Sequence, residues 1–183
     1  MIYKERFFWC NLNNPKYIEY HDNEWGKGNF SDEYLYQMLI LESFHAGLSW
    51  ECVLNKREAF LEAYDNFDIN KVINYDENKM LELVNNKSII RNKLKIKSSI
   101  KNSIIFNSIV KEYGSFYNYL RLFWDGKVIY ENDKTTSYLS DDISKDLYSR
   151  GMRFVGSTII YSYLQAIGVI NSHMKKCYLF VEV

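Results

Sequence analysis

Proline is nearly missing from this chain, with Pro15 alone among 183 residues, and glycine is sparse at eight. No Pro/Gly linker, low-complexity tract or internal repeat is therefore marked, and nothing separates one independent module from another. Cysteine is equally scarce. Cys10, Cys52 and Cys177 are odd in number and far apart, which argues against a disulfide framework. Net charge is absent: 23 Lys and Arg balance 23 Asp and Glu. Phosphate contacts normally require a basic surface, so this balance counts against a nucleic-acid binder. No apolar run approaches the roughly 20 residues that cross a bilayer. Met1 to Cys10 carries a short apolar patch and no small-residue cleavage site, so no secretory signal is expected. The expectation is a soluble cytoplasmic protein, monomeric by default, without membrane contact. At this length it forms one domain or two tightly packed lobes and can bury a sizeable core.

The charge that is present is unevenly placed. Arg91, Lys93, Lys95, Lys97 and Lys101 cluster without acids among them, as do Arg150 with Arg153 and Lys175 with Lys176. Each cluster reads either as a solvated helix face or as a local basic face for DNA. Aromatics are abundant at 17%. They gather between Tyr17 and Trp50, where Glu42 sits in an otherwise apolar helix near Tyr17, Tyr20, Trp25 and Trp50. The faces of Tyr and Trp attract a cation by about 0.5 to 2 kcal/mol per contact. A carboxylate in that company can accept charge-assisted hydrogen bonds from the edge of the same ring. The arrangement reads as a pocket for a flat, partly cationic heterocycle, or as core aromatics around a paired helix carboxylate.

Pattern predicts an all-α chain. Pro15 after Asn13-Asn14 opens a helix running to about Glu24 and stopping at Gly26, with Tyr17, Tyr20 and His21 on one face. Ser31-Asp32-Glu33 opens a second, continuing to about His45 with a helical apolar period. Ala46-Gly47 breaks it, and Ser49 caps the helix carrying Trp50, Val53 and Leu54. Asp68 and Asp76 cap two short helices. Arg91 to about Tyr113 is a long helix with Leu94, Ile96, Ile100, Ile104, Ile105 and Ile109 as its buried stripe. Phe116 to Trp124 is another, residues 125–141 read as loop, and Asp142 to Arg150 is a helix ending at Gly151. No strand pair with a hairpin turn stands out. A turn through Phe154-Val155-Gly156 leads to a helix opening at Ser157-Thr158. It is an ordinary interhelical turn, or a phosphate site at which Gly156 permits close approach and the free N–H groups of the new helix face the anion.

These stretches resemble the DNA-3-methyladenine glycosylase I family, the bacterial TAG type within the helix-hairpin-helix glycosylases. The family's Y-x-x-Y-H-D-x-E-W-G is matched by Tyr17, Tyr20, His21, Asp22, Glu24, Trp25 and Gly26, and its L-E-x-x-x-A-G-L-S-W by Leu41, Glu42, Ala46, Gly47, Leu48, Ser49 and Trp50. Phe154 to Gly168 resembles its C-terminal hairpin and helix. The resemblance implies a helical bundle over residues 1–183 as a single glycosylase domain, with the pocket between packed lobes if there are two. Residues 150–168 form its helix-hairpin-helix-like DNA-binding segment, and the termini pack together. It implies release of N3-methyladenine from alkylated double-stranded DNA by hydrolysis of the N-glycosidic bond, after the nucleotide is flipped from the stack at a cost of a few kcal/mol. Glu42 would accept hydrogen bonds from the exocyclic amine side of the base, with Tyr20 supporting it. Tyr17 and Trp50 would stack on the base, and Trp9 and Trp25 would complete the base-binding wall. Gly156, Ser157, Thr158 and Arg153 would contact DNA. The run from Gly168 to His173 has no acid, as suits a family lacking the aspartate of other helix-hairpin-helix glycosylases.

The family also joins its termini through a structural zinc held by two Cys and two His. His21, His173 and Cys177 match three of those positions. Where the family has E-R-C-x-W, this chain has Glu5-Arg6-Phe7-Phe8-Trp9, with phenylalanine at the expected cysteine. Cys10 is near enough in sequence to substitute; alternatively the termini pack around Phe7 and Phe8 without metal. No organic cofactor is implied. Two other functions remain open: a non-catalytic DNA- or nucleotide-binding module on the same fold, and a zinc hydrolase using His21, His173 and Cys177 with an open fourth position. His45, beside Glu42, reads more readily as a satisfied surface histidine than as a pocket group.

Overall fold

The computed structural model describes residues 5–181. Helix α1 (Pro15–Asn23) starts where the Asn14 side chain accepts from Lys16 N–H and proline fills the first turn. Helix α2 (Asp32–His45) is capped by Ser31, with Asp32 and Glu33 facing its positive end. Its residues from Leu35 to Phe44 are buried apart from Gln37, so it is no amphipathic surface helix but the central rod of the molecule. Ser49, Asp68 and Asp76 cap α3 (Trp50–Leu54), α5 (Ile69–Val72) and α6 (Glu77–Asn85), with α4 (Arg57–Ala63) and a 3-10 turn at Asp65–Phe67 between them.

Helix α7 (Lys93–Tyr113) lies against α2 and ends at left-handed Gly114. Its buried face differs from the predicted stripe. Leu94 and Ile104 are exposed, whereas Ser99, Asn102 and Ser103 are buried beside Ile96, Phe106 and Ile109. The cause is hydrogen bonding. The hydroxyls of Tyr36 and Tyr64 are buried, and Ser103 and Ser99 meet them at 2.6 and 2.9 Å. Helix α8 (Phe116–Leu120) is shorter than predicted, because the Arg121 guanidinium holds the carbonyls of Trp124 and Asp125 in a turn.

The 125–141 segment is not all loop. It contains β1 (Ile129–Tyr130), which pairs in parallel with β2 (Ile170–Asn171), and the first turn of α9 (Tyr138–Ser149). A reciprocal Ser137–Ser140 cap starts that helix four residues ahead of the predicted Asp142. Two two-residue strands leave the fold class all-α. Helix α10 (Ser157–Ala166) packs on α2 and α9. Just beyond it Gly168 (φ +79°) passes so close to Lys27 and Gly28 that a Cβ there would lie 2.3 Å from their backbone. That contact fixes the 25–29 strap, and with it Trp25, against the end of α10.

Candidate base-binding site

Four helices converge on one cavity of about 270 Å³, lined by Trp9, Tyr17, Tyr20, Trp25, Glu42, His45, Trp50, Ser162 and Gln165. Helix α1 supplies Tyr17 and Tyr20, α2 supplies Glu42 and His45, α3 opens with Trp50, and α10 adds Ser162 and Gln165. Every aromatic singled out from sequence therefore reaches one space. Its volume is just under the roughly 300 to 1,000 Å³ of drug-sized sites, room for one heterocycle. The rings brace each other: Trp9 lies 5.2 Å from Tyr17 and 4.8 Å from Trp25, and Tyr20 lies 5.2 Å from Trp50.

Glu42 is 2% exposed. Burial raises its carboxyl above the usual range, and the His45 hydrogen bond pulls the other way. Its hydrogen-bond partner is His45, whose Nδ1 stands 2.9 Å from Oε2, while Tyr20 lines the same cavity. His45, half-buried, therefore belongs to the cavity wall as well as to the surface around it. No periodicity signal reveals this, although i,i+3 spacing from an internal acid makes such a pair available. Ser162 and Gln165 were missed because they approach from a helix more than a hundred residues away in sequence. Burial also pushes the Tyr20 and Tyr17 hydroxyls far up, so both stay protonated donors. The Trp50 Nε1–H is buried and meets no acceptor among the described residues. A cavity-wall donor left unpaired in this way is available to a ligand.

A second cluster lies behind the aromatic wall. His21, His173 and Cys177 each bring one ligand atom to within 4.8 Å of the others. His21 Nδ1 faces Asp22 Oδ1 at 2.9 Å and His173 Nδ1 faces Asn171 Oδ1 at 2.8 Å. Opposite an acceptor each Nδ1 carries the hydrogen, so both Nε2 atoms present lone pairs. Burial keeps both imidazoles neutral, holding His173 down to about 4. His173 Nε2 is buried without a partner among the described residues, and His21 Nε2 lies 3.5 Å from Cys177 Sγ. That spacing is the edge expected of a tetrahedral site with bonds of about 2.0 to 2.3 Å. Cys10 does not join it; its Sγ is directed to the Tyr17 carbonyl at 3.7 Å. None of the three donors lines the aromatic cavity. Trp25, 4.6 Å from the His173 ring, stands between cluster and cavity.

Between α9 and α10 the chain turns through Gly151 (φ +102°) and Phe154 (φ +58°). Asn102 clamps this turn, accepting from Arg153 N–H at 3.0 Å and donating to its carbonyl at 2.8 Å, and Ser144 donates to the Val155 carbonyl. Arg153 and Thr158 are exposed, but the Ser157 hydroxyl is engaged by Asp141 and Ser140. Two basic residues leave the predicted faces. Lys95 is buried, donating to the carbonyls of Phe44 and Ala46, and Arg150 is paired at 2.7 Å with both Glu112 and Asp146. Arg91, Lys93, Lys97 and Lys101 remain exposed.

A buried carboxylate thus lines an aromatic cavity with room for one flat heterocycle. Comparison with known proteins makes this particular. The family model described as methyladenine glycosylase matches residues 9–180. The chain is 38% identical over 180 residues to DNA-3-methyladenine glycosylase 1 of Escherichia coli (strain K12), covering 94% of this chain and 95% of that protein. A crystal structure of 3-methyladenine DNA glycosylase I superposes with a TM-score of 0.91 at 35% identity, over 95% of this chain and 98% of that one. A tyrosine-to-phenylalanine variant of 3-methyladenine DNA glycosylase I, solved in complex with 3-methyladenine, superposes with a TM-score of 0.87 at 30% identity, over 92% and 95%. This chain belongs to the methyladenine glycosylase family, and it is an enzyme of DNA repair that acts on N3-methyladenine.

Proposed function

We propose that the aromatic cavity receives the flipped N3-methyladenine and that Glu42 is the group that recognises it. The supporting observation is the buried carboxylate with one side-chain partner, at the edge of a cavity sized for one base. Glu42 accepts hydrogen bonds from the exocyclic amine side of the base, and Trp50 and Tyr17 stack on its faces. Trp9 and Trp25 back that wall, and Tyr20, a neutral hydroxyl lining the same cavity, supports Glu42. Alkylation makes the base cationic, so its departure needs little help. The bond between the sugar C1′ and the base nitrogen breaks, its electron pair leaves with the base as neutral N3-methyladenine, and water adds at C1′ with loss of a proton. Neutral adenine lacks the charge that rewards stacking beside a carboxylate, so differential binding excludes it.

DNA is gripped, in this reading, by the α9–turn–α10 segment acting as a helix-hairpin-helix. Gly156 has an ordinary φ of −60° and nothing nearer than the Tyr148 hydroxyl at 3.9 Å where a Cβ would project. Its place is therefore open to a phosphate, with the unpaired N–H groups of Ser157 and Thr158 and the exposed Arg153 beside it. Ser157 contributes through its backbone, because its hydroxyl is already bonded. The Nε2 of His173, without a partner among the described residues, and the Nε2 of His21, which accepts from Phe7 N–H at 3.3 Å and adjoins the Cys177 thiol, fit a zinc ion held by His21, His173 and Cys177, a structural tie between the chain ends that takes no part in base release. The chain acts as a single-domain monomer in the cytoplasm. Release of free N3-methyladenine from methylated duplex DNA, measured for the wild type and for Glu42→Gln before and after chelation, tests this reading. Release that falls in the variant and survives chelation supports it; a well-folded wild type that binds DNA and releases nothing would make the protein a binding module.

A further inference from the structure

Beside the chain ends lies a second cavity of about 710 Å³, and Cys177 is the member of the three-donor cluster that lines it, along with Cys10, Phe7, Phe8, Lys175 and Lys176. Zinc in protein sites takes four donors. His21, His173 and Cys177 supply three, and among the described residues no fourth His, Cys, Asp or Glu joins them. The next group on the cluster is a backbone one: Phe7 N–H approaches His21 Nε2 at 3.3 Å and can only donate. Cys10, the nearest spare thiol in sequence, is buried against the Tyr17 carbonyl. The cavity thus reaches the cluster through its sulfur ligand, and its rim carries the exposed ammonium groups of Lys175 and Lys176. A site with three protein donors and access to solvent keeps a replaceable position, as open zinc sites do, and a soft ligand set favours soft partners there.

We propose that His21, His173 and Cys177 hold a zinc-class divalent cation with three protein donors only, leaving the fourth position to an exchangeable small thiolate admitted from the adjoining cavity, or to water when none is present. This rests on the metal reading above and adds that the centre is open. Binding of the thiol forms one metal–sulfur bond, displaces the water and releases the thiol proton to solvent.

The test uses the full-length protein stripped of metal and reloaded with one equivalent of Co²⁺, whose visible spectrum reports tetrahedral geometry and whose near-ultraviolet charge-transfer band reports bound thiolate. Wild type should show a single-thiolate band that grows to about twice its intensity as 2-mercaptoethanol is added, since each coordinated thiolate contributes its own band. Cys177→Ser should lose the protein's own band, and Cys52→Ser should change nothing. Phe7→Cys should show the two-thiolate spectrum without added thiol and ignore the titration; the wild-type titration decides the matter if that variant does not fold. Cobalt that binds with one thiolate yet does not respond to the thiol overturns the open position while leaving the metal reading intact. A wild type that already shows two thiolates, and loses one in Cys10→Ser, makes Cys10 the fourth donor and overturns it too. No cobalt binding at all removes both.

Discussion

Replacing Glu42 by glutamine should make the protein more stable and less active at once. The side chain is fully enclosed, its carboxyl is raised by burial, and His45 is its one hydrogen-bond partner among the described residues. A raised carboxyl means that the unfolded chain ionises first as pH rises. Over the interval between the unfolded and folded values the folded state binds more protons, so stability falls with rising pH through that interval and stays lowered above it. Glutamine keeps the shape and an acceptor for His45 but never ionises. The expected gain at neutral pH is about 0.5 to 2 kcal/mol, the range typical of relieving a functional site. At roughly 2 to 4 °C per kcal/mol for a chain this long, differential scanning calorimetry resolves it. The gain should shrink toward nothing as pH falls below the ordinary carboxyl range, where Glu42 is protonated in both states. Base release should drop by about 10- to 150-fold, the equivalent of one charge-assisted hydrogen bond of about 1.5 to 3 kcal/mol. A variant that melts at or below the wild-type temperature at pH 7 and releases base at the normal rate would refute the reasoning.

Gly168→Ala should cost more than about 2 kcal/mol in denaturant titrations, because a Cβ at 2.3 Å from the Lys27 and Gly28 backbone adds to the strain of φ +79°. A cost under about 0.5 kcal/mol would show that the strap is free to move. Arg153→Ala should weaken duplex binding without regard to sequence and reduce the salt dependence of binding by about one unit of slope, as loss of one phosphate contact requires. An unchanged salt slope would place the DNA on another face.

Local signals were legible in the sequence and distant ones were not. The starts of α1, α2, α3, α5 and α6 were readable because Asn14, Ser31, Ser49, Asp68 and Asp76 each bond a backbone N–H two or three residues ahead. The aromatic cavity was legible because seven of its nine lining residues fall between Trp9 and Trp50. The buried face of α7 was not, since serine and asparagine count as polar until the tyrosine hydroxyls and the turn backbone that they serve are known. For the same reason Lys95 read as part of an exposed basic face, whether solvated or for DNA, whereas its ammonium caps carbonyls at the end of α2. The role of His45 and the distance of Cys10 from the metal cluster depend on side-chain direction, which spacing alone leaves undetermined.

The most direct test of the central claim is equilibrium binding of the 3,9-dimethyladeninium cation, which keeps the charge that the alkylated base carries in DNA, followed by quenching of the cavity tryptophans Trp9, Trp25 and Trp50, with neutral 9-methyladenine as competitor. The account predicts that the wild type prefers the cation by at least about tenfold, equivalent to 1.4 kcal/mol, and that Glu42→Gln loses that preference while still binding DNA. Equal affinity for the two bases in the wild type, or an undiminished preference in the variant, would contradict it.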